Sequence, residues 1–493
     1  MSAPFPAPER VLPLIPPQVS LDVLRELLLV PLRQEEGVLV VAAPSLDRLA
    51  QAQLLGAAQG CAVELEIHPE PRIGELIRAL YDLKTGVAEE TVSAVEGIDD
   101  LSDLVRLEVL SDSVDAPVIR LVNGLILEAL KVRATDIHLE PYEDRFLVRY
   151  RVDGVLRDAY SLPKGHQAPL TSRVKVMARM DIAERFVPQD GRIGIALADR
   201  AVDIRVSSLP TPHGERLALR LLDKARGLLT LESLGMAAEE QRALERLIAH
   251  PYGMILFTGP TGSGKSTTLY AILQSLRRPE VNLLSVEDPV EYDLPGIGQV
   301  QVNEKAGVTF ASALRTILRQ DPDIIMIGEM RDYETAHIGV QASLTGHLVL
   351  STLHTNDSVS AVGRLADMGV EPYLIAGSLL GVVAQRLVRR LCPHCRREIP
   401  VPPFLARLGA KGAFGPGGCE ACGGSGYRGR LGLYEQFDVD GPIQAAVAEN
   451  APAGVLRDLA RERGLRTLLE LGVLRVQEGL TSPEEVLRVV GEA

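Results

Sequence analysis

One stretch constrains the fold of this chain more than any other: Gly259-Pro260-Thr261-Gly262-Ser263-Gly264-Lys265-Ser266-Thr267. It fits G-x-x-x-x-G-K-[ST], a loop whose backbone N–H groups wrap a polyphosphate. Its flanks agree. Met254-Ile255-Leu256-Phe257 reads as a short buried strand before it. Leu269, Ile272, Leu273 and Leu276 follow at the spacing of one helix face, and Arg277-Arg278-Pro279 stops that helix. A strand, a glycine-rich turn and a helix start aim donors and a positive helix end at one point. Lys265 is expected at the β- and γ-phosphates of ATP, and Ser266 on Mg²⁺.

The surrounding pattern predicts an α/β nucleotide domain over residues 233–385. Strands are expected at Met254–Phe257, Val281–Val286, Ile324–Ile327 and Leu348–Ser351, alternating with helices in a mostly parallel sheet. Ligands bind at the carboxyl ends of such strands. Those ends carry Glu287-Asp288 after the second strand, Gly328-Glu329-Met330-Arg331-Asp332 after the third, and Thr352-Leu353-His354 after the fourth. Phosphoryl transfer to water needs a phosphate cradle, a metal, a carboxylate that orients water, and positive charge. Glu329 is the expected water-activating acid, and Glu287 a metal or water positioner. His354 completes the catalytic set, although an imidazole or carboxylate there could also simply pair with a neighbour.

Elsewhere the pattern sorts into smaller units. Residues 1–82 read as an α/β docking module, with a helical face at Val23, Leu24, Leu27 and Leu28. Strands at 37–42 and 63–67 and helices at 46–58 and 73–81 complete it. Residues 83–112 are acidic and read as a linker. Residues 113–228 read as an α+β domain: a helix lined by Val118, Leu121, Val122, Leu125, Ile126 and Leu130, then a series of strands with an Asp153-Gly154 hairpin turn. Arg192 and Arg205 lie on those strands, where a surface charge is the simplest reading.

Cys392-Pro-His-Cys395 and Cys419-Glu-Ala-Cys422, in residues 386–432, are two C-x-x-C knuckles with 23 residues between them. Two such pairs close a tetrahedral Cys₄ site, for which Zn²⁺ is the usual occupant. Residues 433–493 read as helical, with Ser482-Pro483-Glu484-Glu485 as a capping start. The formal net charge of −13 argues against a chain built to grip nucleic-acid backbones. No apolar run is long enough to cross a bilayer, no signal peptide is evident at the N-terminus, and cysteine usage suits a reducing compartment.

These motifs together resemble the secretion and type IV pilus assembly ATPases, and most of all the type II secretion motor. The resemblance covers about residues 115–490. It is carried by the phosphate loop, the acidic box Ser285–Tyr292, the atypical Walker B segment Asp321–Asp332 that places Gly328 where an Asp is usual, the histidine box Leu344–His354, and the four cysteines. Gln189-Asp190-Gly191-Arg192 and Asp203-Ile204-Arg205-Val206-Ser207 match the family's arginine-bearing strands. The resemblance implies a PAS-like middle domain joined to a RecA-like ATPase domain, assembled as a cytoplasmic homo-hexamer. It raises Arg192 and Arg205 to phosphate-contacting arginines, with Arg331 a weaker candidate. It implies docking of the N-terminal domain on the cytoplasmic part of an inner-membrane secretion protein, and ATP-driven movement of a membrane platform protein that extends a pseudopilus. The pilus-assembly or DNA-uptake motor shares this chemistry and is the nearest alternative. A zinc-containing nucleic-acid translocase and a nucleotide-gated scaffold without turnover are more distant ones.

Overall fold

The computed structural model describes residues 5–16, 24, 27–35, 37–77, 80, 115–197, 200–223 and 229–491. The acidic segment at 83–112 lies outside these residues, as does Val23 of the expected helical face at 23–28. Two compact units divide the chain, Met1–Leu125 and Ile126–Ala493.

In the first unit, β1 (Val30–Glu35) runs antiparallel to β2 (Val38–Ala43). β2 pairs in parallel with β3 (Ala62–Ile67), the crossover being made by α1 (Leu49–Gln59). Residues 70–77 are helical, within the span expected at 73–81. Leu29, Val30, Leu39, Val41, Ala52, Leu55, Ile73 and Ile77 form the core of this small module.

The second unit holds two sheets. Helix α2 (Asp115–Lys131), which spans the division between the units, buries Leu121, Val122, Leu125, Ile126 and Ala129. A six-stranded antiparallel sheet follows in the order β6-β5-β4-β9-β8-β7. Its strands are β4 (Ala134–Pro141), β5 (Arg145–Val152), β6 (Val155–Pro163), β7 (Gln189–Leu197), β8 (Arg200–Thr211) and β9 (Gly214–Asp223). The β5–β6 turn has positive φ at both Asp153 (50°) and Gly154 (82°), the mirror-image turn that Asp-Gly favours between twisted strands. Helix α3 (Gln167–Met177) buries Lys175 fully; its Nζ donates to Glu215 Oε1 at 2.6 Å, a carboxylate that also accepts from Ser208 Oγ.

The second sheet has seven strands in the order β12-β11-β13-β14-β10-β15-β18. β10 (Gly253–Thr258), β11 (Leu283–Glu287), β13 (Ile324–Ile327) and β14 (Leu348–Leu353) stand where the apolar runs put them, and their pairings are parallel. Helices α4 (Ala238–Ile248) and α5 (Lys265–Leu276) pack on one face of this sheet, and α6 (Phe310–Ile317) and α7 (Tyr333–Leu344) on the other. Alternate residues of β10 serve the two cores. Ile255 and Phe257 pack with Leu269, Ile272 and Leu273 of α5, while Met254 and Leu256 pack on the side of Leu314, Ala336 and Val340.

Three strands of this sheet were not legible in the sequence: β12 (Gly298–Gln301), β15 (Leu379–Leu391) and β18 (Tyr427–Asp438). β15 lies parallel to β10 and antiparallel to β18, so the central sheet continues past residue 385, where the sequence pattern had ended it. The cysteine knuckles lie in the excursion between those last two strands, with the small ribbon β16 (Arg397–Ile399) and β17 (Ala413–Gly415). The chain then ends in four helices: α8 (Gly441–Ala448), α9 (Ala453–Glu462), α10 (Leu468–Gln477) and α11 (Pro483–Val490). Ser482 caps α11 through the Glu485 N–H, with Pro483 at its first position, as the sequence predicted.

Candidate functional site

β10 ends in Thr258, and the chain turns through Gly259–Gly264 into α5. Gly259 (φ 145°), Gly262 (81°) and Gly264 (91°) all hold backbone conformations that side chains resist. Space is short as well. A Cβ on Gly259 would lie 2.5 Å from Gln385 O, and one on Gly264 would lie 2.7 Å from Gln385 Nε2. The loop is therefore pressed onto β15, and Thr268 Oγ1 donates to Gln385 Oε1 at 3.0 Å to hold it there. Thr258 Oγ1 accepts from the Thr355 N–H at 2.8 Å, which ties the start of the loop to the segment after His354.

Lys265 is buried, and its Nζ donates to Gly259 O (2.7 Å) and Pro260 O (3.2 Å) of its own loop. Burial lowers its pKa to about 8; the Glu329 charge raises it and Arg386 lowers it further. Ser263 Oγ is buried with no hydrogen-bond partner. A buried hydroxyl without a partner beside a row of loop N–H groups fits a ligand with acceptor oxygens, as a polyphosphate is. Ser266 lies exposed in the cleft that Glu329 also lines, and its hydroxyl is an oxygen donor of the kind Mg²⁺ takes.

The cleft around this loop measures about 850 Å³ and is lined by Pro260–Thr267, Glu287, Glu329, Arg331 and His354. The structure thus brings together the phosphate loop and three of the five expected catalytic residues. Glu329 is 13% exposed, and its Oε1 pairs with Arg331 Nη2 at 2.5 Å. Its Oε2 lies 3.7 Å from His354 Nε2. Burial lowers the His354 pKa, helped by the charges of Lys265 and Arg331, so this ring is neutral at neutral pH. Glu287 is buried with both oxygens engaged: Oε1 accepts from Ser285 Oγ (2.6 Å) and Gln299 Nε2 (3.0 Å), and Oε2 accepts from Tyr270 OH.

The two sequence-chosen arginines stand elsewhere. Arg192 is exposed, and Arg205 is half-buried with Nη2 donating to Val290 O at 3.3 Å; neither lines the cleft. The register of the six-stranded sheet explains this. Arg192 opposes Arg205, Arg205 opposes Arg220, Arg220 opposes Asp136, and Asp136 opposes Arg151. One straight row of charges crosses five strands, and its other end, Arg220, Asp136 and Arg151, lines the cleft. Asp136 Oδ1 accepts from Arg220 Nε at 3.1 Å, and Asp153 Oδ2 accepts from the Gly429 N–H at 2.9 Å across the two sheets. Arg386, Arg430 and Arg488 also line the cleft, and sequence reasoning missed all three.

The four cysteine sulfurs converge, as their spacing predicted. Cys392–Cys419, Cys395–Cys422 and Cys419–Cys422 lie 3.8, 3.8 and 3.7 Å apart, and all four sulfurs fall within 4.8 Å of one another. A tetrahedron of thiolates about 2.3 Å from a central metal has edges of about 3.8 Å, so the donor set fits. The N–H groups of Cys419 (3.2 Å) and Gly426 (3.1 Å) donate to Cys422 Sγ, the outer shell that a thiolate ligand needs.

A parallel sheet with a glycine-rich phosphate loop and an acid at the next strand ends defines a RecA-like P-loop ATPase fold. Comparison with known proteins narrows the class. The model of the type II/IV secretion system protein family matches residues 111–488, and the chain belongs to that family. An MshEN domain matches residues 3–87. Among the relatives, the type II secretion system protein HxcR of Pseudomonas aeruginosa is 52% identical over 87% of this chain and 90% of its own length. The type II secretion system protein E of Dickeya dadantii is 47% identical over 94% and 95%. The type II secretion system ATPase E of Vibrio cholerae is 51% identical over 78% of each. Two solved structures share the fold: the ATPase DotB of Legionella pneumophila (TM-score 0.57, 19% identity, 76% of this chain and 96% of that one) and the pilus retraction motor PilT with bound ADP (0.51, 24%, 74% and 95%).

Proposed function

We propose that this chain is the ATP-hydrolysing motor of a type II secretion system. The observation that carries the reading is the meeting of Lys265, the partnerless Ser263 hydroxyl, Glu329 and His354 at the carboxyl edge of one parallel sheet. On this reading Lys265 leaves the Gly259 and Pro260 carbonyls and donates to the β- and γ-phosphate oxygens. Glu329 holds the attacking water through Oε2 and takes its proton, while Arg331 fixes Oε1. His354 is neutral and presents Nε2 to the same water or to the leaving phosphate. Ser266 would hold Mg²⁺, which would supply positive charge to neutralise the phosphates. Glu287, with both oxygens engaged, acts by holding Tyr270, Gln299 and the 288–292 segment rather than by taking a proton. Arg205 and Arg192, at the far end of the charge row, are placed to meet a phosphate only if the middle sheet shifts or a second copy supplies them.

The likeness to type II secretion system proteins supports reading this chemistry as part of secretion. The motor would work as a cytoplasmic homo-hexamer whose N-terminal module docks on an inner-membrane secretion protein and whose turnover drives pseudopilus assembly on a membrane platform. Among the described residues no helix is long and apolar enough to cross a membrane. Zn²⁺ at the four cysteines would be structural, because four thiolates close the coordination shell.

Glu329→Gln tests the reading. The variant should bind ATP and hydrolyse it about 10²-fold or more slowly, the scale of a lost catalytic base. Turnover close to that of the parent would remove Glu329 from the water-activating role.

A further inference from the structure

Arg386 sits on β15 with 7% of its surface exposed, and it lines the cleft. Its Nη1 donates to Gln385 O at 3.1 Å and its Nη2 to Asn356 O at 3.0 Å. Among the described residues these are its only hydrogen bonds, and it makes no ion pair. The two acidic side chains that act on it most are committed elsewhere. Glu435 accepts from the Ser358 N–H (2.8 Å) and the Leu468 N–H (3.0 Å). Asp357 accepts from the Ser360 N–H (2.8 Å) and hydroxyl (2.9 Å) and lies 3.6 Å from Arg457. A guanidinium taken from water and left with two neutral carbonyls is under-compensated, and an anion is what it lacks.

Its position says which anion. A Cβ on Gly259 would lie 3.0 Å from Arg386 Nη1, and Lys265 Nζ donates to the carbonyl of that same Gly259. Two buried cations therefore converge on one residue at the start of the phosphate loop. The loop lysine serves the β- and γ-phosphates. We propose that Arg386 binds the terminal phosphate of a nucleoside triphosphate beside Lys265, and that this side chain sets the preference of the site for triphosphate over diphosphate. Because Nη2 also holds Asn356 O, the same guanidinium joins the terminal phosphate to the segment two residues beyond His354.

This inference rests on the ATPase reading, and binding measurements separate the two. The full chain is titrated with a nonhydrolysable ATP analogue and with ADP, each with Mg²⁺. Arg386→Gln should weaken the analogue about 10- to 100-fold, the scale of lost charge-assisted hydrogen bonds, and ADP less than about 3-fold. Should the glutamine variant fail to fold, Arg386→Lys carries the test through the same ratio, because a point charge without the planar fork cannot reproduce the contact. A parent chain that binds neither nucleotide sinks the ATPase reading. A parent that binds both, with a variant whose two affinities are unchanged or fall by one common factor, overturns the role of Arg386 alone.

Discussion

Glu485 offers a prediction whose size can be worked from the geometry. Its side chain is fully buried, and it gathers two arginines. Arg389 reaches it with the backbone N–H (3.0 Å), Nε (3.0 Å) and Nη2 (2.9 Å), while Arg488 adds Nε at 2.9 Å and Nη2. Burial alone would raise its pKa; the hydrogen bonds from Arg488 and Arg389 overcome that and hold it at about 2, against an ordinary 4.5. At about 1.4 kcal/mol per unit this difference corresponds to about 3 kcal/mol. Arg488 is 46% exposed and screened by water on that side, so we take about 2 kcal/mol. Glu485→Gln should therefore loosen α11 against β15 by about 30-fold in its local opening constant. Amide hydrogen exchange over 389–392 and 483–490 at pH 7 reads this directly. The sign with pH is fixed: a depressed carboxylate pKa stabilises above the unfolded value of 4.5 and loses that contribution as pH falls toward 2. Parent and variant should converge over that window. Equal exchange rates at pH 7 would refute the anchor, and so would a difference that persists unchanged at pH 2.

Cys395→Ser should lose bound metal and destabilise residues 392–426; fewer than one zinc per chain in the parent protein, by elemental analysis, would count against the site. Lys265, held at about 8 by burial, should make polyphosphate binding sensitive to alkali. A bound phosphate favours the charged amine, so ADP binding should take up a proton and weaken as pH rises from 8 to 10; calorimetry in two buffers of different ionisation enthalpy that shows no proton uptake would contradict it.

What the sequence revealed and what it hid divide along a physical line. The phosphate loop, the four parallel strands, the Asp153-Gly154 hairpin and the Ser482 cap are local signals, each decided within a dozen residues. β15 escaped because a strand buried on both faces does not alternate; its burial is nearly continuous from Leu379 to Val388, and the arginines and cysteines that follow resemble a boundary. The cleft arginines were hidden for another reason. Arg220 meets Asp136 across 84 residues of chain, and only the register of the antiparallel sheet says which end of the charge row faces the phosphate loop. Glu287 stands where its motif places it, but the hydroxyl and amide that occupy its oxygens come from Tyr270 and Gln299, on other elements.

β15 also governs how the two ends of this site can diverge over time. Gln385 and Arg386 press on the phosphate loop, and Cys392 stands six residues further along the same extended backbone, about 20 Å away. β18 pins that backbone as far as Leu391 by antiparallel pairing, whereas the parallel pairing with β10 ends at Ala384, so an inserted residue must be absorbed at the register shift between Arg389 and Leu391 or turn either the guanidinium or the first thiolate to the wrong face. The 23 residues between the knuckles are held less tightly, by the β16–β17 ribbon and by Leu405 and Ala413 packing against α10 and α11. Insertions are therefore cheaper in the loops of the excursion than in the ruler that measures it from the nucleotide.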